Sequence, residues 1–356
     1  ASRTRMDAMP HPPERSSLGF LFISAVLLMA NALGSLACEA NEPGERAALA
    51  AFGEALFFDT ALSDDGRIAC ASCHRPELAF TDGSDTSTGV HGRRGSRNAP
   101  SLLGLGEVTE FFWEGRTSNR VAAMTDAFFN PHEMGLSGPD ELFERISASK
   151  RHAPLLLALP EPMRALDLAL IARAIDAFLE AQPRTPSPFE RFKAGDSDAL
   201  TEHARRGLAV FEGKGRCAEC HSLDGQQPAL TDHGFHHTGV GFHEIAPQLP
   251  ELMQRYREQL ETASAGSIII GESDIAELGR YLATGKTADV GAFRTPSLRN
   301  VARTAPYMHN GSIATLSEAL DREVYYRSVT SGHPVSLTLQ EREDLLAFLE
   351  SLSDGE

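Results

Sequence analysis

The pattern Cys-x-x-Cys-His occurs twice, and it constrains the fold more than any other feature of the chain. The copies are Cys70-Ala-Ser-Cys73-His74 and Cys217-Ala-Glu-Cys220-His221. Two thiols at this spacing can form thioether bonds to one haem, and the adjacent histidine can bind its iron. A thioredoxin-like pair or a zinc site does not explain why histidine follows both times. The sequence therefore predicts two haem c groups, held by Cys70, Cys73, Cys217 and Cys220 with His74 and His221 as axial ligands.

Length and charge limit the classes of protein that fit. The chain has 356 residues, which is enough for two domains that each bury a core. Its net charge of −16 disfavours nucleic acid as a partner and permits a partner with a basic patch. Four of the five cysteines belong to the two motifs, so we expect no disulfide framework.

The N-terminal residues 1–37 have the pattern of a secretory signal. Basic residues precede the apolar run Leu18–Leu33, and small residues follow it. The run is short for a membrane span. Cys38 is either a lipidated N-terminus, as in a lipoprotein, or part of the cleavage region. Covalent haem is attached outside the bacterial cytoplasm, so we expect a periplasmic protein whose only membrane contact would be lipidation at Cys38.

A weak internal repeat indicates that one haem module occurs twice. Ala79–Asp82 follows the first motif as Ala229–Asp232 follows the second, and Thr88–Val90 corresponds to Thr238–Val240. Amphipathic helical spacing dominates the rest of the chain, which predicts an all-α fold. The strongest helical segments are 45–58, 165–181, 198–211, 274–283 and 339–352. The proline-rich stretch 183–188 predicts a linker, which gives domains at residues 44–183 and 184–356.

The sixth position of each iron decides the chemistry, because two strong ligands favour electron transfer and an open site permits peroxide chemistry. The residues alone leave the following ligands open: His91, Met134, Tyr307, Met308, His309, Tyr325 and Tyr326. Trp113, the only tryptophan, is either part of a buried aromatic cluster or an electron relay between two haems. Glu133 is either an exposed acid beside a turn or an acid/base that moves a proton between peroxide oxygens.

Several strings resemble the bacterial di-haem cytochrome c peroxidase and MauG superfamily, in family order from about residue 56 to the C-terminus. They are LFFDTALSDDGRIACASCHRPELAFTDG, RRGSRNAPSL, FFWEGR, NPHEMG and AFRTPSLRNVARTAPYMHNGSIATL. The resemblance implies two cytochrome c-like domains, with a peroxide-reacting haem at the first motif and an electron-transfer haem at the second. Trp113 would lie between the haems, and Glu133 would be the distal glutamate. A structural calcium ion would bind Asn98, Thr304 and Pro306.

Two positions point to the MauG branch, which includes the MbnH type. Ordinary members hold a distal histidine on the first haem, but Val90 occupies that position here and His91 is shifted by one. Peroxidases place a methionine on the second haem, whereas this helix contains Tyr325 and Tyr326, of which we prefer Tyr325 as the ligand. One position disfavours the MauG branch, because Ala123 replaces a glutamine that is common in the family.

The resemblance therefore implies an enzyme that uses hydrogen peroxide, through a bis-Fe(IV) state, to oxidise a tryptophan side chain of a partner protein. One alternative is a peroxidase that reduces hydrogen peroxide to water with electrons from a small redox protein. Another is an electron carrier with two closed haems. An open, peroxide-reactive first haem would separate the enzymes from the carrier.

Overall fold

Helices form most of the regular structure in residues 43–330 and 334–355, which the computed structural model describes. The predicted signal at residues 1–37 and Cys38 lie outside these residues. Ahead of residue 184 the helices are α1 Pro43–Phe57, α2 Cys70–Cys73, α3 Arg120–Phe129, α4 Pro139–Ala148, α5 His152–Ala158 and α6 Leu168–Glu180. No helix of the described residues is long and apolar enough to cross a membrane.

The second half repeats this helical character. Its helices are α7 Pro188–Lys193, α8 Glu202–Glu212, α9 Phe242–Ile245, α10 Leu249–Gln259, α11 Ala265–Gly271, α12 Ser273–Ala276, α13 Tyr281–Thr284, α14 Leu316–Thr330 and α15 Leu339–Glu350. Two short strands, β1 Phe235–His237 and β2 Ala292–Arg294, pair antiparallel with His236 opposite Phe293. The predicted all-α class is confirmed, since this small sheet is the only one among the described residues.

One predicted helix, 274–283, is broken into α12 and α13. Gly279 adopts a left-handed φ of 58° between them, which lets the chain turn toward β2. The backbone N–H of Arg280 then donates to the carbonyl of Ala292 at 2.7 Å. Helical periodicity did not predict this break because the bond joins residues distant in sequence.

The same close helix crossing occurs once in each half. In α1, a Cβ at Gly53 would overlap the carbonyl oxygen of Ala174 in α6. In α8, a Cβ at Gly207 would overlap the carbonyl oxygen of Asp344 in α15. Glycine allows such helices to approach until their backbones touch. The repeated crossing supports the sequence evidence for one module used twice.

Each crossing lies within its own apolar core. Phe52, Phe57 and Ile171 of the first crossing are all at most 1% exposed. Phe211 and Phe348 belong to the second core, with ring centroids 5.0 Å apart. Separate cores are what two domains require, and a boundary near residue 183 remains a prediction.

Gly53→Ala should destabilise the protein because the added methyl group forces α1 and α6 apart. Overpacking of a tight core costs about 1–3 kcal/mol, and we expect a fall of this size in the free energy of unfolding. Gly44→Ala is the matched control, because nothing lies within 4 Å of a Cβ there and it is on the same helix. Thermal unfolding followed by circular dichroism compares the two; equal midpoints would contradict the close crossing.

Candidate haem sites

The first motif forms α2 and ends at a histidine that the backbone orients. Ala79 and Phe80 both adopt left-handed φ angles, of 51° and 61°, and this turn aims the Phe80 carbonyl at the ring of His74. The two groups lie 2.9 Å apart, with Nδ1 of His74 as the donor. Burial lowers the pKa of His74, so the ring is neutral and Nε2 is the nitrogen available to an iron.

The second motif orients its histidine in the same way. Nδ1 of His221 donates to the carbonyl of Leu230 at 3.0 Å, and Leu230 has a left-handed φ of 57°. Burial lowers the pKa of His221 to about 4. Phe80 and Leu230 occupy equivalent places in the repeat that the sequence predicted, so the repeated string is the turn that holds each proximal histidine.

The thiols of both motifs are free, and none forms a disulfide within the described residues. Burial raises the pKa of Cys70 and Cys73 to about 12 and that of Cys217 to about 11. Each site therefore offers two neutral thiols beside one oriented imidazole. This donor set, with a histidine directly after the second cysteine, fits a covalently attached haem.

Glu133 is a carboxyl group that reaches both thiols of the first motif. Burial raises its pKa, and its negative charge adds to the rise in the pKa of both Cys70 and Cys73. The Glu133 carbonyl accepts from the N–H of Val90 at 2.8 Å, and Gly89 lies so close that a Cβ there would overlap the backbone of His132. These contacts fix the glutamate loop against the loop that follows the motif.

His91 lies away from the first motif. Its ring nitrogen Nε2 lies 2.7 Å from Oδ2 of Asp64, and its backbone N–H donates to Asp65 at 2.8 Å. The side chain is 47% exposed, whereas Val90 is fully buried. Its placement on the surface removes His91 from the candidate ligands, and the loop presents valine to the site instead.

Trp113 lies where the two halves meet, and His309 is its counterpart. The N–H of Asn98 donates to the carbonyl of His309 at 2.9 Å, and the N–H of Arg294 donates to the carbonyl of Trp113 at 2.8 Å. Trp113 is 9% exposed, and its indole N–H donates to the Asn98 carbonyl. These reciprocal bonds relate the halves by an approximate two-fold and bury the tryptophan between them.

Further contacts extend this two-fold beyond the predicted repeat. Ser101 donates to the Ala79 carbonyl and Ser297 to the Ala229 carbonyl, each at 2.7 Å. The strings NAPSL and RTPSL are therefore a second repeat that the sequence analysis did not connect. Their shared Pro-Ser-Leu was the available signal.

A buried charge cluster beside Trp113 also escaped the sequence analysis. Glu114 is fully buried and pairs with Arg116 and, at 3.5 Å, with Nε of Arg97. Burial acts to raise the pKa of Glu114, but the two guanidinium groups hold that pKa below its usual value. Arg97 also donates to the Ala276 carbonyl at 2.6 Å, so the cluster ties the halves together.

The predicted calcium ligands meet at one cavity of about 720 Å³. Asn98, Thr304 and Pro306 all line it, together with Trp113 and Arg294. The side-chain nitrogen of Asn98 donates to the Ser84 carbonyl at 2.9 Å. Its amide oxygen accepts no hydrogen bond among the described residues, and oxygen donors suit calcium.

The adjacent tyrosines of α14 lie in different surroundings. Tyr325 is 64% exposed, whereas the ring of Tyr326 lies so close to Gly239 that a Cβ there would overlap it. Gly239 belongs to the loop that follows the second motif. Tyr325, the preferred ligand, therefore points away from the second motif and only Tyr326 lies toward it, because the sequence did not fix the rotation of the helix.

Other candidate ligands have partners elsewhere. The hydroxyl of Tyr307 donates to the Val301 carbonyl at 2.9 Å, and Nε2 of His309 lies 2.7 Å from Oε2 of Glu277. Cys220, Asp232 and His236 are close enough together to suggest a metal site. Thioether formation at Cys220 would remove the thiolate that such a site needs.

This geometry defines a two-haem protein, and comparisons with known proteins agree. Residues 47–198 match the family model for di-haem cytochrome c peroxidase. The chain is 30% identical to the cytochrome-c peroxidase IdrP2 of Denitromonas iodatirespirans over 94% of this chain and 90% of that one. It is 32% identical to the methylamine utilization protein MauG of Methylorubrum extorquens, over 85% of this chain and 77% of that one.

A solved structure shows the same relationship. A MauG-like protein associated with microbial copper homeostasis superposes with a TM-score of 0.69 at 30% identity, covering 86% of this chain and 89% of that one. The chain belongs to the di-haem cytochrome c peroxidase family, which includes MauG. It is a haem-dependent oxidoreductase of a family that carries two haem c groups and uses peroxide.

Proposed function

We propose that this protein uses hydrogen peroxide to oxidise an aromatic side chain, a tryptophan, of a partner protein in the periplasm. The observation that carries the proposal is the distal side of the first motif. That side presents the carboxyl group of Glu133 and the buried Val90, while His91 is held at the surface by Asp64. An iron there has room for peroxide without prior removal of a ligand.

We assign one haem to Cys70, Cys73 and His74 and the other to Cys217, Cys220 and His221. The haems, when bound, supply the two-electron reaction with peroxide and store the oxidising equivalents. Burial keeps Glu133 protonated to a higher pH than an exposed glutamate, so it can donate a proton to the departing peroxide oxygen. Trp113, fixed by its bond to Asn98, lies in position to couple the two sites.

The second haem needs a ligand that tolerates a high oxidation state. Helix α14 contains no methionine, and its Glu323 and Tyr326 lie toward the second motif and the loop that follows it. An anionic oxygen donor stabilises oxidised iron better than a thioether does. This supports a MauG-like oxidase. Calcium at Asn98, Thr304 and Pro306 and export by residues 1–37 belong to the same proposal.

A peroxidase that draws electrons from a small redox protein is the second candidate. The relative from Denitromonas iodatirespirans, which covers most of both chains, carries the name cytochrome-c peroxidase. Such an enzyme would need a reduced second haem before it reacts. The two candidate functions therefore differ in whether the second haem is oxidised or reduced when the protein reacts with peroxide.

The test is to add hydrogen peroxide to the fully oxidised di-haem protein and to record its near-infrared and EPR spectra. We expect both ferric signals to disappear and a near-infrared band shared by the two haems to appear. A protein that is inert until one haem is reduced would overturn the oxidase proposal and establish the peroxidase. A tryptophan-containing partner is then identified by cross-linking and mass spectrometry.

A further inference from the structure

Helix α14 turns one face to the second motif and the other to solvent. Tyr325 and Val329, four residues apart, are 64% and 65% exposed. Arg322, three residues before Tyr325, donates to the Gly239 carbonyl at 2.8 Å. Arg327 donates to Sγ of Cys220 at 3.1 Å and to the Arg216 carbonyl at 3.3 Å. The inner face of α14 therefore covers the second motif.

Glu323 lies on this inner face, three and four residues before Tyr326 and Arg327. Burial raises its pKa, and its negative charge adds to the rise in the pKa of Cys217. Within residues 43–330 and 334–355 it has no hydrogen bond or ion pair, because Arg322 and Arg327 donate to the backbone and to Cys220. The half-buried carboxylate thus lies beside the motif with Arg327 and Arg322 nearby but no hydrogen bond to either.

The first half has a carboxylate in the corresponding place. Gly89 packs against the backbone of the Glu133 loop. Gly239, which occupies the equivalent position in the repeat, packs against α14. Glu133 acts on the thiol of Cys70 as Glu323 acts on that of Cys217. Each half therefore brings a half-buried glutamate from outside the repeated string to its own motif, from a loop in one case and from a helix in the other.

We propose that Glu323, rather than Tyr325 or Tyr326, supplies the sixth ligand of the second haem iron. A carboxylate partly withdrawn from water is unfavourable unless it is paired or bound to a metal, and a ferric iron would provide the positive charge. Tyr325 points to solvent, and the ring of Tyr326 packs against Gly239 in the loop beside α14. The proposal rests on a haem at the second motif and deepens the proposed function, since a carboxylate is also an anionic oxygen donor.

The experiment compares Glu323→Gln, Tyr326→Phe and Tyr325→Phe in the purified ferric di-haem protein by EPR and near-infrared magnetic circular dichroism. We expect Glu323→Gln alone to change the signals of the second haem. It should also raise the affinity of that haem for added imidazole by about tenfold or more, because a ligand no longer competes. Tyr325→Phe, on the outer face of the same helix, is the matched control.

A gain-of-ligand variant covers the case in which Glu323→Gln attaches haem poorly. Glu323→His should give the low-spin signature of two axial histidines, whereas Tyr326→His should not. The proposal is overturned if Tyr326→Phe changes the second haem and Glu323→Gln does not, if both change it equally, or if neither does. These spectra are recorded without peroxide. A negative result for the Glu323 ligand is therefore distinguishable from a failure of the unaltered protein to react with peroxide as an oxidase.

Discussion

Glu133→Gln should slow the reaction of the protein with hydrogen peroxide by about 10²–10⁴-fold, the usual contribution of a positioned acid/base group. The amide has the size of the carboxyl group but cannot move a proton between the peroxide oxygens. The ferric spectra should stay unchanged, because Glu133 binds neither iron in the proposed scheme. Stopped-flow absorbance at a series of peroxide concentrations measures the rate.

The control for this variant is Glu144→Gln, a solvent-exposed glutamate of α4 with no hydrogen bond among the described residues. Its rate should equal that of the unaltered protein. A Glu133→Gln rate within a factor of about three would show that the proton comes from elsewhere. In that case the buried acid would have a packing role only.

Short-range patterns predicted the parts of the site that lie close together in sequence. Each motif places two thiols and an imidazole within five residues, and each repeated string supplies the carbonyl that orients the imidazole. These features depend on local backbone turns such as those at Phe80 and Leu230. Residue type and spacing therefore specify them without knowledge of the rest of the fold.

Helix rotation and long-range burial were not predictable in the same way. Tyr325 and Tyr326 are adjacent, so only the packing of α14 on the Gly239 loop decides which one faces the second motif. The sequence shows Glu114 only as an acid beside aromatic residues, whereas its burial depends on Arg97, which bonds to α12 more than 150 residues away. Approximate two-fold contacts, such as Asn98 to His309, likewise appear only when the halves meet.

Glu114→Gln should reduce the free energy of unfolding by about 3–5 kcal/mol, as expected when one partner of a buried ion pair is removed. Arg97 and Arg116 would remain enclosed with no carboxylate beside them, and both are at most 7% exposed in their side chains. Thermal unfolding of the di-haem protein, followed by far-ultraviolet circular dichroism, gives the change. A large fall in the midpoint is expected although the total charge changes by only one.

Glu110→Gln is the matched control, because Glu110 lies on the same loop as Glu114. Its carboxylate pairs with Arg280 at 2.6 Å, but its side chain is 39% exposed. A pair exposed to this extent contributes about 0–1 kcal/mol. Adding Arg97→Met to Glu114→Gln should recover part of the loss, since one unpaired buried charge is then removed. If Glu110→Gln and Glu114→Gln unfold at the same temperature, the cluster does not join the two halves energetically. The position of Trp113 would then depend on its indole bond to the Asn98 carbonyl and on its backbone bond to Arg294.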